Sequence, residues 1–278
     1  MNYRHAFHAG NAADCMKHAL LLWLLRALGR KEGGFLALDT HAGVGRYDLS
    51  CAEATRTGEW QHGIGRLMAT RAAGAVLPPA VVDYLGLVEA LGLYPGSPAL
   101  IAAVLRPQDR LICCELHPED HALLRANFRG NQRVAVHRRD GYEAMRAFLP
   151  PKERRGLVLI DPPFEQTDEF ARLTQALQEG YDRFRTGIFA IWYPIKHRAP
   201  ARAFHTAIAE AGIRNVVSAE LLLREPVAPD RLNGSGFLVV NPPWMFEAEA
   251  VPILDALAAT LTDGEPGAGG RVVRVAEE

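Results

Sequence analysis

The densest chemistry in the sequence is one short run, Leu157-Val158-Leu159-Ile160 followed by Asp161-Pro162-Pro163-Phe164. Four apolar residues read as a buried strand, and the two prolines after them fix the backbone where it ends. The turn holds the Asp161 carboxylate and the Pro162 carbonyl at one point, with the Phe164 ring facing a planar ligand. That combination suits an aromatic exocyclic amine, whose lone pair is delocalised into its ring. Two acceptors gripping its N–H groups help the nitrogen pyramidalise, and Asp161 can take a proton once the nitrogen becomes cationic. Stacking on Phe164 is worth about 1–3 kcal/mol.

Three more strand ends carry acids. Asp39-Thr40-His41-Ala42-Gly43-Val44-Gly45 follows an apolar run, as do Glu115-Leu116-His117 and Asp140-Gly141-Tyr142. The first loop holds a Gly-x-Gly but neither the third glycine of a dinucleotide fingerprint nor the Lys-Ser/Thr of a phosphate loop. Backbone can approach a ligand at Gly43, yet no strong phosphate cradle exists. Glu115 can accept both hydroxyls of a ribose. Asp140 can accept from an adenine amine while Gly141 lets the ring come close. The set describes a pocket for an adenosine without phosphates, and S-adenosylmethionine is such a ligand.

A second tetrapeptide, Asn241-Pro242-Pro243-Trp244, also follows an apolar run. It lies too far along the chain to face the same ligand and is expected to be a turn. The N-terminal segment Asn2-Tyr3-Arg4-His5-Ala6-Phe7-His8 through Lys17-His18 is rich in aromatic, basic and imidazole groups. Tyr3 and Arg4 are expected to contact a substrate nucleotide, and Lys17 and His18 to open a helix lying over the donor. His5, His8 and His18 have no cysteine or carboxylate cluster to complete a coordination set, so no metal is expected.

The elements that must position these groups alternate in type. Strands are predicted at 35–38, 111–114, 134–136, 157–160 and 187–192, and three more at 216–223, 236–240 and 271–275, two of them with antiparallel partners. Helices are predicted at Asp14–Leu28, amphipathic with Asp14 as N-cap, at Pro79–Leu91, after a Ser97 N-cap, and at 118–128, 142–148 and 169–180. Alternation of this kind implies an α/β fold with a doubly wound, Rossmann-like parallel sheet. Residues 48–96 read as an inserted helical subdomain, leaving 1–47 and 97–278 as the main domain.

Composition sets the outer bounds. The chain has 278 residues, 49% of them apolar, and a formal charge of −1, so no global field draws a polyanion. Charge is uneven locally: Arg133 to Arg155 carries net +4, and Glu247 to Glu278 carries net −5. Arg138, Arg139, Arg154 and Arg155 are therefore expected to contribute to the salt dependence of any nucleic-acid binding. Four cysteines show no paired framework, and the apolar run Ala19–Leu25 is too short to span a bilayer. A cytoplasmic protein that needs no membrane is expected.

The segments Tyr3-Arg4-His5-x-Phe7-His8-Ala9-Gly10-Asn11-x-x-Asp14, Leu38-Asp39-Thr40-His41-Ala42-Gly43-x-Gly45-Arg46-Tyr47, Tyr94-Pro95-Gly96-Ser97-Pro98, Glu115-Leu116-His117-Pro118 and Ile160-Asp161-Pro162-Pro163 together resemble the RlmJ family of bacterial 23S ribosomal RNA adenine-N6 methyltransferases. The likeness runs from Asn2 to Trp244. It implies a class I methyltransferase sheet with an inserted helical subdomain, acting on one adenine of naked or partly assembled 23S rRNA, with no stable protein partner. By matching motif, His18, His41, Ser97, Glu115, Asp140 and Gly141 would contact the donor, Asp161 would accept the proton, and Tyr3 would touch the RNA; Arg4 and Lys17, from the same N-terminal segment, are expected beside it. Phe164 stands where the family usually has Tyr, which keeps the ring and removes a hydroxyl. Two other readings share parts of this pattern: a DNA adenine-N6 methyltransferase, and an RNA-binding assembly factor without turnover.

Overall fold

The computed structural model describes residues 4–278. Eight strands form one sheet: β1 (Leu36–Asp39), β4 (Arg110–Cys114), β5 (Val134–His137), β6 (Gly156–Ile160), β7 (Ile188–Ile195), β8 (Val216–Leu222), β9 (Gly234–Val240) and β10 (Gly269–Ala276). Their order is β5-β4-β1-β6-β7-β9-β8, with β10 at the far edge. The strands from β5 to β7 are parallel, β9 runs antiparallel to both its neighbours, and β10 is antiparallel to β8. Strands β6, β8 and β9 are buried along their whole length, as expected for a sheet covered on both faces. A separate two-stranded bridge pairs β2 (Arg46–Tyr47) with β3 (Tyr94–Pro95).

The first helix, α1 (Ala12–Gly29), differs from its sequence reading in two ways. Its N-cap is Asn11, whose side chain accepts from the Asp14 amide, so Asp14 lies inside the first turn. The helix is also not amphipathic in use, because every residue from Asp14 to Leu25 is buried. Part of the cause lies in the segment between β2 and β3, which folds as α2 (Ala52–Thr57), α3 (Glu59–His62), α4 (Ile64–Ala72) and α5 (Pro79–Leu91). Ile64, Leu67, Val81, Tyr84 and Leu85 from these helices share one core cluster with Leu20, Leu24 and the sheet residue Phe237. Covered by the sheet at β9 and by α5, α6 (Ser97–Val104) and α11 (Phe246–Leu261), α1 has no solvent face from Asp14 to Leu25.

Helix α6 (Ser97–Val104) starts one residue earlier than expected. Gly96 holds the cap position, and Ser97 turns its hydroxyl to Asp39. Helices α7 (Pro118–Asn127), α8 (Gly141–Phe148) and α9 (Glu169–Arg183) occupy their predicted segments. Two helices have no sequence-level counterpart, α10 (Arg198–Glu210) and α11 (Phe246–Leu261), the second with Pro252 inside it. Among the described residues, no helix is long and apolar enough to cross a membrane.

Candidate active site

Because β1, β4, β5, β6 and β7 are parallel, the loops after them meet at one end of the sheet. A cleft of about 800 Å³ opens there. Its walls include Lys17 and His18 of α1, His41 and Gly43 after β1, Ser97 of α6, Glu115 after β4, Asp140 and Gly141 after β5, and Asp161, Pro162 and Phe164 after β6. Eleven residues singled out from the sequence are thus brought to one cavity. Arg4 is not among them: its guanidinium forms an exposed ion pair with Glu119 at 2.7 Å. Tyr3 lies outside the described residues.

The loop after β1 is tied down by Thr40, whose hydroxyl donates to the Leu159 carbonyl at 2.9 Å and joins the ends of β1 and β6. Gly43 has φ +59°, and a Cβ there would sit 2.4 Å from the Tyr47 hydroxyl. Glycine is needed on both counts. Glu115 receives the Gly43 amide at 2.9 Å and the His117 amide at 2.8 Å, which orients the carboxylate while burial raises its pKa against those hydrogen bonds. Asp140 caps α8, its Oδ1 accepting the amides of Tyr142 and Glu143. At Gly141 a Cβ would meet the Thr40 carbonyl oxygen at 2.4 Å and His41 Cε1 at 2.6 Å. The glycine therefore lets the start of α8 press against the first loop, a packing reason for this residue in addition to ligand access.

The imidazoles are held neutral by burial. His41, half-buried and bonded through Nδ1 to the Thr40 hydroxyl at 2.8 Å, has its pKa pushed down to about 4. His18 is completely buried, with Nδ1 on the Tyr94 hydroxyl at 3.0 Å and a pKa lowered to about 3. Its Nε2 has no hydrogen-bond partner among the described residues, and neither does Asp39 Oδ1. Burial raises the Asp39 carboxyl to about 7, while Oδ2 accepts from Ser97 at 2.7 Å.

Lys17 departs most from expectation. The sequence places it at the RNA, yet it is buried and its ammonium donates to Asp161 Oδ2 at 2.6 Å and to Asp14 Oδ1 at 2.8 Å. Burial alone would lower its pKa; the two carboxylates overcome that and hold it well above the usual lysine value. Asp14 is likewise kept well below the ordinary carboxylate range: burial, which alone would raise it, is outweighed by its contacts with His5 and Lys17. His5 Nε2 completes the chain on Asp14 Oδ2 at 2.9 Å. The spacing of Asp14, Lys17 and His18 on one helix carried the signal for this network, three and four residues apart. His8 belongs elsewhere, on Glu59 at 3.0 Å.

Phe164 has φ +50°, a left-handed conformation that costs a bulky residue roughly 1–2 kcal/mol. It keeps that shape against Phe170 (centroids 4.9 Å) and Trp192 (5.9 Å, edge-on). Trp192, Pro194 and Lys196 of the β7 end also line the cleft and were not anticipated. Asn241-Pro242-Pro243-Trp244 is elsewhere. Since β9 is reversed, Val240 pairs with Phe189 at the start of β7, so the tetrapeptide sits at the opposite end of the sheet. The Asn241 amide is committed to the carbonyls of Arg185 and Gly187 at 2.7 and 2.8 Å. It is a turn, and the reversal of its strand is the reason.

The basic stretch divides between the two ends of the sheet. Lys152, Arg154 and Arg155 precede β6 and so lie at the end of the sheet away from the cleft. Arg155 binds the carbonyls of Leu28 and Gly33, Arg133 that of Leu105, and Arg146 pairs with Glu179. Arg133 and Arg155 brace loops and Arg146 ties α8 to α9, while Arg138 and Arg139 follow β5 at the cleft end, on the edge of the sheet remote from β7, and are exposed.

A sheet ordered β5-β4-β1-β6-β7-β9-β8 with one reversed strand, carrying a cleft where its parallel strands end, defines the Rossmann-like fold of class I methyltransferases. Comparison with known proteins narrows this. Residues 32–275 match the family described as ribosomal RNA large subunit methyltransferase D, RlmJ, and the chain belongs to that family. It is 43% identical to ribosomal RNA large subunit methyltransferase J of Haemophilus influenzae, covering 94% of each chain, and 39% identical to the Escherichia coli protein of that name, covering 96% of each. The crystal structure of protein LPL1258 from Legionella pneumophila superimposes with a TM-score of 0.87 at 33% identity, over 96% of this chain and 98% of that one.

Proposed function

We propose that this protein transfers a methyl group from S-adenosylmethionine to N6 of one adenine in 23S ribosomal RNA. The observation that carries the reading is the meeting, in one cleft, of the Asp161-Pro162-Pro163-Phe164 turn with the Gly43 loop and the acids Glu115 and Asp140. The donor fits the residues present. Buried Nε2 of His18 and Oδ1 of Asp39 have polar capacity that no described side chain uses. His18, His41, Gly43, Ser97, Glu115, Asp140 and Gly141 would hold it, and when bound it supplies an electrophilic methyl group on a sulfonium.

The remaining chemistry belongs to the chain. Phe164 offers a ring on which the target base stacks, so the adenine must leave its own stack to enter. Lys17 occupies Oδ2 of Asp161, which leaves Oδ1 to accept an N–H of the adenine amine. The Pro162 carbonyl is the second acceptor. Held between Asp14 and Asp161, the Lys17 ammonium keeps its proton and cannot serve as the base; it fixes the carboxylate that does. Asp161 then takes the proton released from the cationic nitrogen. Positioning of amine against methyl is the main catalytic contribution.

The test is incubation with labelled donor and deproteinised large-subunit RNA, duplex DNA or bulk protein, followed by nucleoside analysis. Label recovered as N6-methyladenosine from RNA supports the reading. Label in DNA, in protein or in another nucleoside overturns it, and no transfer to any substrate favours an assembly factor.

A further inference from the structure

Resting on the reading above, we propose that the RNA backbone flanking the target adenine is held by Lys196, Arg198 and Arg202, on the side of the cleft formed by the end of β7 and the start of α10. Strand β7 is parallel to β6, so the segment that follows it emerges at the same end of the sheet as Asp161 and Phe164. The run Lys196-His197-Arg198-Ala199-Pro200-Ala201-Arg202 contains three permanent cations and no acid. Lys196 lines the cleft itself. Lys196 and Arg202 are exposed and Arg198 is half-buried. None of the three forms an ion pair among the described residues, in contrast to Arg4, Arg66, Arg146 and Arg224, each of which is matched by a carboxylate. Cations left unmatched beside a cleft are free to neutralise phosphates.

Two features fix the direction of approach. Helices α7 and α10 both begin at the cleft end of the sheet, but α7 opens with Glu119 and Asp120 whereas α10 has no acid in its first turn. Glu119 is matched by Arg4, so the first side offers a polyanion no surplus of positive charge, whereas the second does. The partly positive N-terminal end of α10 adds to the attraction. The aromatic pair Phe164 and Trp192 lies next to this run, so a base turned inward reaches the rings while its phosphates stay over α10. The net-positive segment Arg133–Arg155, which composition alone offers as the RNA contact, has Lys152, Arg154 and Arg155 at the other end of the sheet.

The experiment measures large-subunit RNA binding without donor, as a function of salt, for wild type, the triple variant Lys196→Gln/Arg198→Gln/Arg202→Gln and a control, Lys152→Gln/Arg154→Gln. With about 0.7 counterions released per single-strand phosphate contact, three lost contacts should reduce the slope of log affinity against log salt by about 2. The control should keep the wild-type slope. An unchanged slope in the triple variant, or an equal change in the control, overturns the proposal. Because binding is read without turnover, this result is separable from the nucleoside analysis that tests methyl transfer. In turnover assays the triple variant should raise KM for RNA while kcat at saturating RNA stays within about twofold; a fall in kcat with KM unchanged would also refute it.

Discussion

Replacing Lys17 with Met is the most direct probe of the network that fixes Asp161. The substitution keeps most of the side-chain volume and deletes two charged hydrogen bonds, of 2.6 Å to Asp161 and 2.8 Å to Asp14. Asp161 is 17% exposed and can recover hydration, whereas Asp14 is only 2% exposed and is stranded. Removing one partner of a buried pair costs about 3–5 kcal/mol. His5 still holds Asp14 Oδ2 at 2.9 Å, which places the expected loss near the lower figure. For a chain of this size about 3 kcal/mol corresponds to a fall in Tm of roughly 6–12 °C. Thermal melts followed by circular dichroism provide the measurement. A further variant, Asp14→Asn/Lys17→Met, removes the stranded charge and should melt above the single variant.

The pH dependence follows from the two directions. Asp14 has a folded pKa below its ordinary 3.8, so its contribution is complete above that value and is lost as pH falls through the folded one. Lys17 has a folded pKa above 10.5, so its contribution is complete below that value and is lost as pH rises through the folded one. The contribution of this pair to wild-type stability should therefore stay flat from about pH 5 to about pH 10. A single variant that melts within about 2 °C of wild type at neutral pH, or a double variant less stable than the single, would refute the reasoning.

Three other outcomes are expected. Asp161→Ala should lower turnover by about 100-fold or more with donor affinity unchanged by calorimetry; wild-type turnover would remove Asp161 from the mechanism. Asp39, raised to about 7 by burial, binds its proton more tightly folded than unfolded, so wild-type stability should decline between pH 3.8 and about 7. Asp39→Asn should lose that decline in denaturant titrations, and an unchanged slope would contradict it. Gly141→Ala forces a Cβ to within 2.4 Å of a backbone oxygen, and should cost about 1–3 kcal/mol in denaturant unfolding together with a loss of donor affinity. Wild-type stability there would mean that the α8 contact is loose.

Much of this architecture was legible because strand identity and strand ends are local properties. All eight strands of the main sheet fall on predicted apolar runs, and the acids after them converge because parallel neighbours end together. What escaped depends on distant parts of the chain. Nothing local distinguishes a helix with one wet face from α1, whose further cover is supplied by α5, α6 and α11, all remote in sequence. For the same reason Lys17 read as a surface cation until the fold placed Asp161 against it. Ser97 looked like a cap because Asp39 is remote in sequence. The direction of β9, which separates two similar Pro-Pro turns, is likewise set by its neighbours.

The burial of α1 has a consequence for attempts to trim the molecule. Helices α2 to α5 resemble an accessory that could be excised to leave a minimal catalytic unit, since β2 and β3 bring their two ends together. Excision would instead uncover a ridge of leucines on the very helix that carries Lys17 and His18. A shortened protein would shed the support of the helix whose Lys17 holds Asp161, so this appendage is better regarded as the outer half of that carboxylate's foundation.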